Sequence, residues 1–145
     1  MALVELACYK IKKLNMMNNI EDLGPRAVAN RDHFSVTYDE DSDMAIATLT
    51  EYVEVEKYPS QFLIELTLEA VFAVNEEVKT EAQKETAHRE CYDAIFPMAK
   101  KIIKYLTINS GMSEGIIIPK KSPKQVNFGA EPEPQDDKIV NFPLG

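Results

Sequence analysis

Two groups of side chains in this sequence have types and spacings that could support chemistry. His88 and Cys91 lie three residues apart in a segment with helical periodicity, so both could face one metal ion or form a nucleophile–base pair. Structural zinc normally needs four ligands, and only Cys8 and His33 are further soft donors. No third group is placed to orient a catalytic pair. We therefore interpret Cys91 as a small core residue and predict no metal site.

The second group is the acidic cluster from Asp39 to Asp43. It lacks the glycine and the distal glutamate of a calcium-binding loop, so we interpret it as a solvated turn. The sequence also contains no phosphate-binding loop, dinucleotide fingerprint or serine-elbow motif. These patterns predict a protein that is not an enzyme and has no cofactor.

Length and charge restrict the class of protein further. The 145 residues are enough for one domain with a real core, and the 45% apolar fraction argues against wholesale disorder. The net charge of −8 repels phosphate backbones, so we predict no nucleic-acid partner. The acidity fits ordinary solubility, and it also fits a protein that exposes an apolar groove without self-association. Both explanations stay open.

The sequence carries no signal for export or membrane insertion. Its start lacks a basic region before an apolar stretch and a small-residue cleavage site, which predicts no secretory signal. No window has the roughly 18 apolar residues that a spanning helix needs. The two cysteines form no spacing motif, and without a secretory signal we expect them to be reduced. We therefore predict a cytoplasmic protein with no membrane insertion.

Alternating apolar and polar residues predict four strands, at residues 1–17, 33–38, 44–55 and 62–74. In the first strand the alternation places Leu3, Ala7, Tyr9 and Ile11 on one side and Val4, Leu6 and Cys8 on the other. Residues 18–32 are interpreted as a loop. The fourth strand has the strictest period of two, so we expect one face to form the core and Glu65 and Glu69 to face water.

The period changes after residue 77, which predicts one long helix. Thr80 and Gln83 fit a capping box at its start, and Pro97 is expected to kink or divide it. Gly111 is the expected C-cap. Residues 116–118 are three isoleucines in a loop or a short extended segment. We predict one domain over residues 1–128, followed by an acidic, mobile tail over residues 129–145.

The order of these elements, and several residues within them, resemble the SecB family of export chaperones. That family has a helix with a cysteine, then Leu or Ile followed by Phe-Pro-x-Ala and a basic residue. Here the helix reads Cys91, then Ile95-Phe96-Pro97-x-Ala99-Lys100. The other matching residues are Phe62-Leu63-x-Glu65, Phe72, Gly111 and Val126-Asn127-Phe128. The resemblance covers residues 62–128 and depends on order and spacing, since no single residue is specific.

The resemblance implies an α+β fold, with a four-stranded antiparallel sheet and a long proline-kinked helix packed on one face. It also implies that protomers pair and stack through their helices, so the expected assembly is a homodimer or homotetramer. The helix residues that could face a second protomer are Cys91, Met98, Ile102 and Tyr105.

The family resemblance implies an ATP-independent holdase, which keeps unfolded polypeptide clients extended in long apolar grooves. Burial of apolar surface drives such binding without a sequence code. The candidate groove residues are Met16, Met17, Phe34, Tyr38, Ile116, Ile117 and Ile118. For each of them, simple filling of the core is an equally good interpretation.

Three choices of partner stay open. The family docks the SecA motor on acidic positions of the open sheet face, where this chain has Leu63, Glu65 and Glu69. The corresponding first-strand positions, however, are Lys13 and Met17, and the family's C-terminal helix is replaced by GAEPEPQDDKIVNFPLG. The partner could therefore be unfolded export clients with SecA, an antitoxin, or one other specific protein bound by a dedicated interaction module.

Overall fold

A computed structural model describes residues 2–21, 26–39, 41–56, 61–75, 78–121 and 135–142. Its elements are β1 (Val4–Asn18), β2 (Arg26–Asp39), β3 (Met44–Val55), β4 (Phe62–Val74), α1 (Glu81–Ile108) and β5 (Gln135–Phe142). The strands form one antiparallel sheet in the order β1-β4-β3-β2-β5. The predicted α+β fold of four antiparallel strands and one long helix is confirmed.

The structure also contains β5, a strand that the sequence analysis did not predict. It lies within the predicted tail and pairs with the outer edge of β2, so the sheet has five strands. The predicted domain boundary at residue 128 and the matching residues 126–128 lie outside the described residues. The mobility of the tail stays a prediction.

The expected loop at residues 18–32 is shorter than predicted, because β2 begins at Arg26. Within residues 26–32 the core-facing positions include Val28, Asn30 and Asp32, all of them buried. Two of these three are polar. The period-two apolar signal that identifies a strand is therefore hidden in this half of β2.

The core lies between strand β4, which is paired on both sides in the sheet, and the helix. The side chains at positions 62, 64, 66, 68, 70 and 72 of β4 are at most 1% exposed, and α1 packs across this face. Helix residues Ile95, Ala99 and Ile103 have no exposed surface. Glu65 and Glu69 lie on the opposite face, as the alternation predicts, with side chains 19% and 22% exposed.

Helix α1 begins at the predicted capping box. The Gln83 amide donates to Thr80 Oγ1 at 3.1 Å, and the Thr80 amide donates to Gln83 Oε1 at 3.0 Å. The helix is continuous through Pro97, so the expectation of a divided helix is wrong, and a kink stays a prediction. Pro97 is exposed, and water can bond the Asp93 carbonyl that loses its helical donor. The C-cap is Asn109, two residues before the expected Gly111.

The segment after the helix folds back over the sheet. Ile116 and Ile118 are buried and Ile117 is 48% exposed, which is the alternation of an extended segment. Two hydrogen bonds fasten it to α1. The Ile116 amide donates to Thr107 Oγ1 at 2.7 Å, and the Lys121 amide donates to Tyr92 Oη at 3.0 Å.

Candidate functional site

A row of exposed apolar side chains runs along β1 on the helix-facing side of the sheet. Ile11 lies opposite Leu68 and Leu14 lies opposite Leu66 in the antiparallel register. Directly opposite residues point to the same face, and both leucines of β4 are fully buried there. Tyr9, Ile11 and Leu14 are nevertheless 49%, 48% and 44% exposed. The row thus lies on the core-facing side of the sheet, but α1 does not cover it.

Two irregularities in β1 create this row. The register with β4 shifts between Leu6 and Cys8, and again between Ile11 and Lys13. Each extra residue resets the alternation of side chains between the two faces. Leu6 and Tyr9 therefore share the helix-facing side, and the sequence-based assignment of these two residues to opposite sides is wrong.

One flank of α1 follows the same edge of the sheet. Glu90 Oε1 accepts hydrogen bonds from the amides of Leu3 at 2.7 Å and Val4 at 3.2 Å, at the start of β1. At the other end, Asn18 Nδ2 donates to the Ser110 carbonyl at 3.2 Å. The helix side chains at steps of four from Glu90 share one face. They are half-buried and comprise Ala94, Met98, Ile102 and Leu106.

We define the β1–α1 band as Tyr9, Ile11 and Leu14 of the strand with Met98, Ile102 and Tyr105 of the helix. Tyr105 is 67% exposed, the largest value among the exposed large hydrophobic residues described. Of the predicted interface residues, Met98, Ile102 and Tyr105 lie in this band. The band combines an extended strand and a helix flank, a geometry that can hold a linear apolar segment.

The predicted groove residues do not share one surface. Phe34 is 8% exposed and packs edge-on against His88 and Tyr92, with ring centroids 4.9 and 5.1 Å apart. Ile116 and Ile118 belong to the same core, whereas their neighbour Ile117 is exposed. Three of these four predicted residues are therefore buried in the single chain, and only Ile117 is exposed. Their role in client binding stays a prediction.

The remaining groove residues are spread over both faces and one end of the sheet. Met16 is half-buried and lies beside the row, whereas Met17 is 37% exposed and opposite Leu63 on the open face. Tyr38 is half-buried, donates to the Lys84 carbonyl at 3.4 Å and lines a shallow pocket. Tyr9, Ile11 and Leu14 were not predicted as site residues, because their exposure depends on how far α1 extends over the sheet, which is not visible in the sequence.

The acidic positions of the open face are paired with lysines of β1. Glu65 lies 3.2 Å from Lys13 Nζ, and Glu69 lies 3.7 Å from Lys10 Nζ and 3.3 Å from Lys12 Nζ. Such surface pairs contribute little stability, but they neutralise much of the local negative charge. Docking of a partner on Leu63, Glu65 and Glu69 stays a prediction, and the two carboxylates that it would meet are already paired with lysines.

The His88–Cys91 pair lies in the core under the helix. Burial, with the nearby Glu90 charge, raises the pKa of Cys91 to about 12, so the thiol stays protonated. Burial, with the nearby Arg89 charge, lowers the pKa of His88 to about 4. Cys91 has no exposed surface, which confirms its interpretation as a core residue. In the described part of the chain, no three His, Cys, Asp or Glu residues are grouped to hold a metal ion.

A buried polar cluster connects β2, β3 and the segment after the helix. Asn30 Nδ2 donates to Glu51 Oε1 at 3.0 Å, and Lys121 Nζ lies 3.5 Å from Asp32 Oδ1. Lys121 Nζ also donates to the Asn30 carbonyl at 3.4 Å. Burial, and then the Asp32 charge, raises the pKa of Glu51 to about 8. The cluster fixes Lys121 against β2, on the side of the sheet away from β1 and its apolar row.

The Glu51 carboxyl predicts a definite pH dependence of stability. Its pKa rises from 4.5 in the unfolded chain to about 8 in the fold, so the folded state retains a proton that the unfolded state loses. This contribution is fully present below pH 4.5 and is lost as the pH rises through 8. Glu51→Gln should therefore gain stability relative to wild type between pH 5 and 8, by on the order of a few kcal/mol.

The measurement is urea unfolding of both proteins at pH 5 and pH 8. His88 titrates in both chains and works in the opposite direction, since its lowered pKa loses stability as the pH falls below 6.5. The difference between the two proteins isolates Glu51. A difference that is constant with pH would contradict this account.

Comparisons with known proteins identify the fold. The sequence matches no protein-family profile and no curated protein. Among solved structures, the chain is similar to a SecB-like chaperone of Mycobacterium tuberculosis in complex with a ChAD peptide from the HigA1 antitoxin. The TM-score is 0.63 at 10% sequence identity, over 82% of this chain and 88% of the other. Among the described residues, no helix is long and apolar enough to cross a membrane. The sheet order, the single long helix and this similarity together show that the chain has the SecB-like fold.

Proposed function

We propose that this protein is an ATP-independent holdase, which binds non-native polypeptides in extended form along the β1–α1 band and does no covalent chemistry. The observation that carries the proposal is the row of Tyr9, Ile11 and Leu14, exposed by 44–49% on the core-facing side of the sheet. Contiguous exposed apolar surface on a protein with a net charge of −8 is typical of a binding surface rather than of an incomplete core.

The dimensions of the band suit an extended chain. The row from Tyr9 to Leu14 occupies six of the 15 residues of β1 and, at about 3.3 Å per residue, spans roughly 17 Å. Each apolar side chain buried against it contributes at about 25 cal/mol per Å², without a sequence code. Binding along one strand therefore adds many weak contacts, and an oligomer multiplies them through avidity.

A homodimer or homotetramer, in the cytoplasm, is part of the proposal. Tyr105, at 67% exposed, offers a helix surface that a second protomer would cover, while the half-buried Met98 and Ile102 would stay beside the β1 row for the polypeptide. Pairing through the helices leaves the β1 row at the rim of the interface, where it would line a groove. Light scattering coupled to size-exclusion chromatography measures this assembly, and Tyr105→Ser is the variant expected to weaken it.

The second candidate is a dedicated chaperone that binds one partner, such as an antitoxin. The observation that favours it is the similar structure from M. tuberculosis, which is a SecB-like chaperone with an antitoxin peptide bound. Export with SecA is a further use of the same binding surface. The lysine pairing of Glu65 and Glu69 gives no support to an acidic docking site for that motor.

The test is aggregation of reduced α-lactalbumin, an acidic protein that charge attraction would not bring to this one. Its light scattering is followed after reduction, with and without the purified protein and without ATP. The general holdase predicts suppression near one oligomer per client. No suppression at a stoichiometric excess would reject it, and a pull-down that returns one abundant protein would then favour the dedicated chaperone.

A further inference from the structure

The outer edge of β2 is occupied by β5 of the same chain. Val28 is paired with Ile139, Arg31 with Asp136 and Asp32 with Gln135 in an antiparallel ladder. Among the described elements β5 contacts β2 and no other, whereas β4 pairs on both sides and lies under the helix. β5 is thus attached through main-chain pairing at a single edge.

The composition of β5 makes this attachment weak. Four of its eight residues are Asp, Lys or Asn, which are depleted in strands, and its ladder contains a register shift between Arg26 and Val28. An element that is paired along only one edge opens at low free-energy cost compared with the rest of a fold. When β5 leaves, the edge of β2 presents unpaired N–H and C=O groups that can accept another extended chain.

The connection to the rest of the chain allows β5 to return to its own β2. Lys121 lies 3.5 Å from Asp32 through its Nζ, and Gln135 is the ladder partner of the same Asp32. The thirteen residues 122–134 therefore connect Lys121 and Gln135, which both lie next to Asp32 of β2. A connection of this length closes at a small entropic cost, so β5 competes at a high effective concentration.

We propose that β5 is a built-in competitor, which covers the 26–32 edge of β2 and is displaced there by an extended polypeptide that pairs through its main chain. This inference rests on the proposed function, because it gives the polypeptide a second place to bind. The edge lies on the side of the sheet away from β1. A long client could therefore engage the β1–α1 band and the β2 edge together, and β5 lowers the apparent affinity by the fraction of time it is bound.

The test compares wild type with Lys138→Pro/Ile139→Pro. Successive N–H groups of a strand point to opposite sides, so two adjacent prolines remove at least one ladder bond whichever residue donates it. The probe is a fluorescent peptide, QDDKIVNF, with the sequence of β5. The proline variant should bind it about tenfold more tightly, because its own strand no longer competes. The control is Lys138→Thr/Ile139→Val, which keeps strand-forming residues and should bind the peptide as wild type does.

Binding of reduced α-lactalbumin, measured on the same proteins, separates this inference from the proposed function. Tighter binding of both the peptide and α-lactalbumin by the proline variant supports both. If all three proteins bind the peptide equally, or if none of them binds it, β5 is not a competitor for the β2 edge. This conclusion holds even if α-lactalbumin binds. Tighter peptide binding without any binding of α-lactalbumin supports the competitor and rejects the general holdase.

Discussion

Replacement of Lys121 by methionine is expected to reduce the free energy of unfolding at pH 7 by about 3–5 kcal/mol. Lys121 is 8% exposed, and its Nζ lies 3.5 Å from Asp32 Oδ1. Methionine retains the apolar length of the side chain but removes the positive charge. Glu51 keeps its proton at pH 7, so the Asp32 carboxylate is the buried charge that loses the Lys121 ammonium, and this loss is the costly part of breaking a buried ion pair.

The chain provides a matched control at the preceding residue, Lys120. Lys120 Nζ lies 2.7 Å from Asp93 Oδ1, but both side chains are 56% exposed. Lys120→Met should therefore change stability by no more than about 0.5–1 kcal/mol. In a third variant, Asp32→Asn/Lys121→Met, the buried carboxylate charge is removed together with the lysine, and most of the loss should be recovered. Equal effects of the two lysine substitutions in urea unfolding would contradict the role of the buried cluster.

Gly115→Ala is expected to reduce the free energy of unfolding by about 2–4 kcal/mol. Gly115 has a φ of +71°, and a Cβ built on it would lie 2.9 Å from the Lys104 carbonyl oxygen and 2.9 Å from Ile108 Cγ1. The carbonyl belongs to the backbone of α1 and cannot move without distorting the helix. The substitution should therefore displace the segment that carries Ile116 and Ile118 into the core.

A comparison with Gly111 separates the steric cost of the added Cβ from the cost of the left-handed backbone conformation. It also has a positive φ, +94°, but a Cβ there would meet no atom within 4 Å. Gly111→Ala should therefore cost only about 1–2 kcal/mol, for the left-handed backbone alone. Urea unfolding of the two variants measures the difference. Equal losses would show that the close approach at Gly115 does not matter.

The elements with the most regular patterns were predictable from the sequence. β4 has thirteen residues of strict alternation, and its observed bounds equal the predicted ones. The start of α1 follows from Thr80 and Gln83, because a capping box is a local interaction between neighbouring residues. Cys91 as a core residue follows from its place on the apolar helix face. In each case the information lies within a few residues along the chain.

The features of the binding surface depend on partners distant in sequence. The β1 row exists because two bulges form against β4, more than 50 residues later, and alternation alone assigns Leu6 and Tyr9 to opposite faces. The buried cluster brings Lys121 to Asp32, and nothing in either local sequence indicates that pairing. Met98 and Ile102 were found from helical spacing, but which flank stays uncovered depends on the position of α1 over the sheet.

The central claim is that the exposed row on β1 binds non-native polypeptide. The most direct measurement is the Kd of reduced, unfolded α-lactalbumin for Ile11→Ser/Leu14→Ser, compared with Met17→Ser/Ile46→Ser. The two pairs are similarly exposed, at 48% and 44% against 37% and 44%, but Val71 and Leu63, opposite Ile46 and Met17, place the second pair on the open face. Both variants introduce the same hydroxyls and no charge.

The account predicts that the first variant weakens binding about tenfold, since loss of two apolar contacts costs at least about 1.4 kcal/mol. The second variant should bind as wild type does. Unchanged circular dichroism and oligomeric state are required of both proteins. Equal binding by the two variants, or a loss confined to the open-face variant, would contradict the placement of the site on the β1–α1 band.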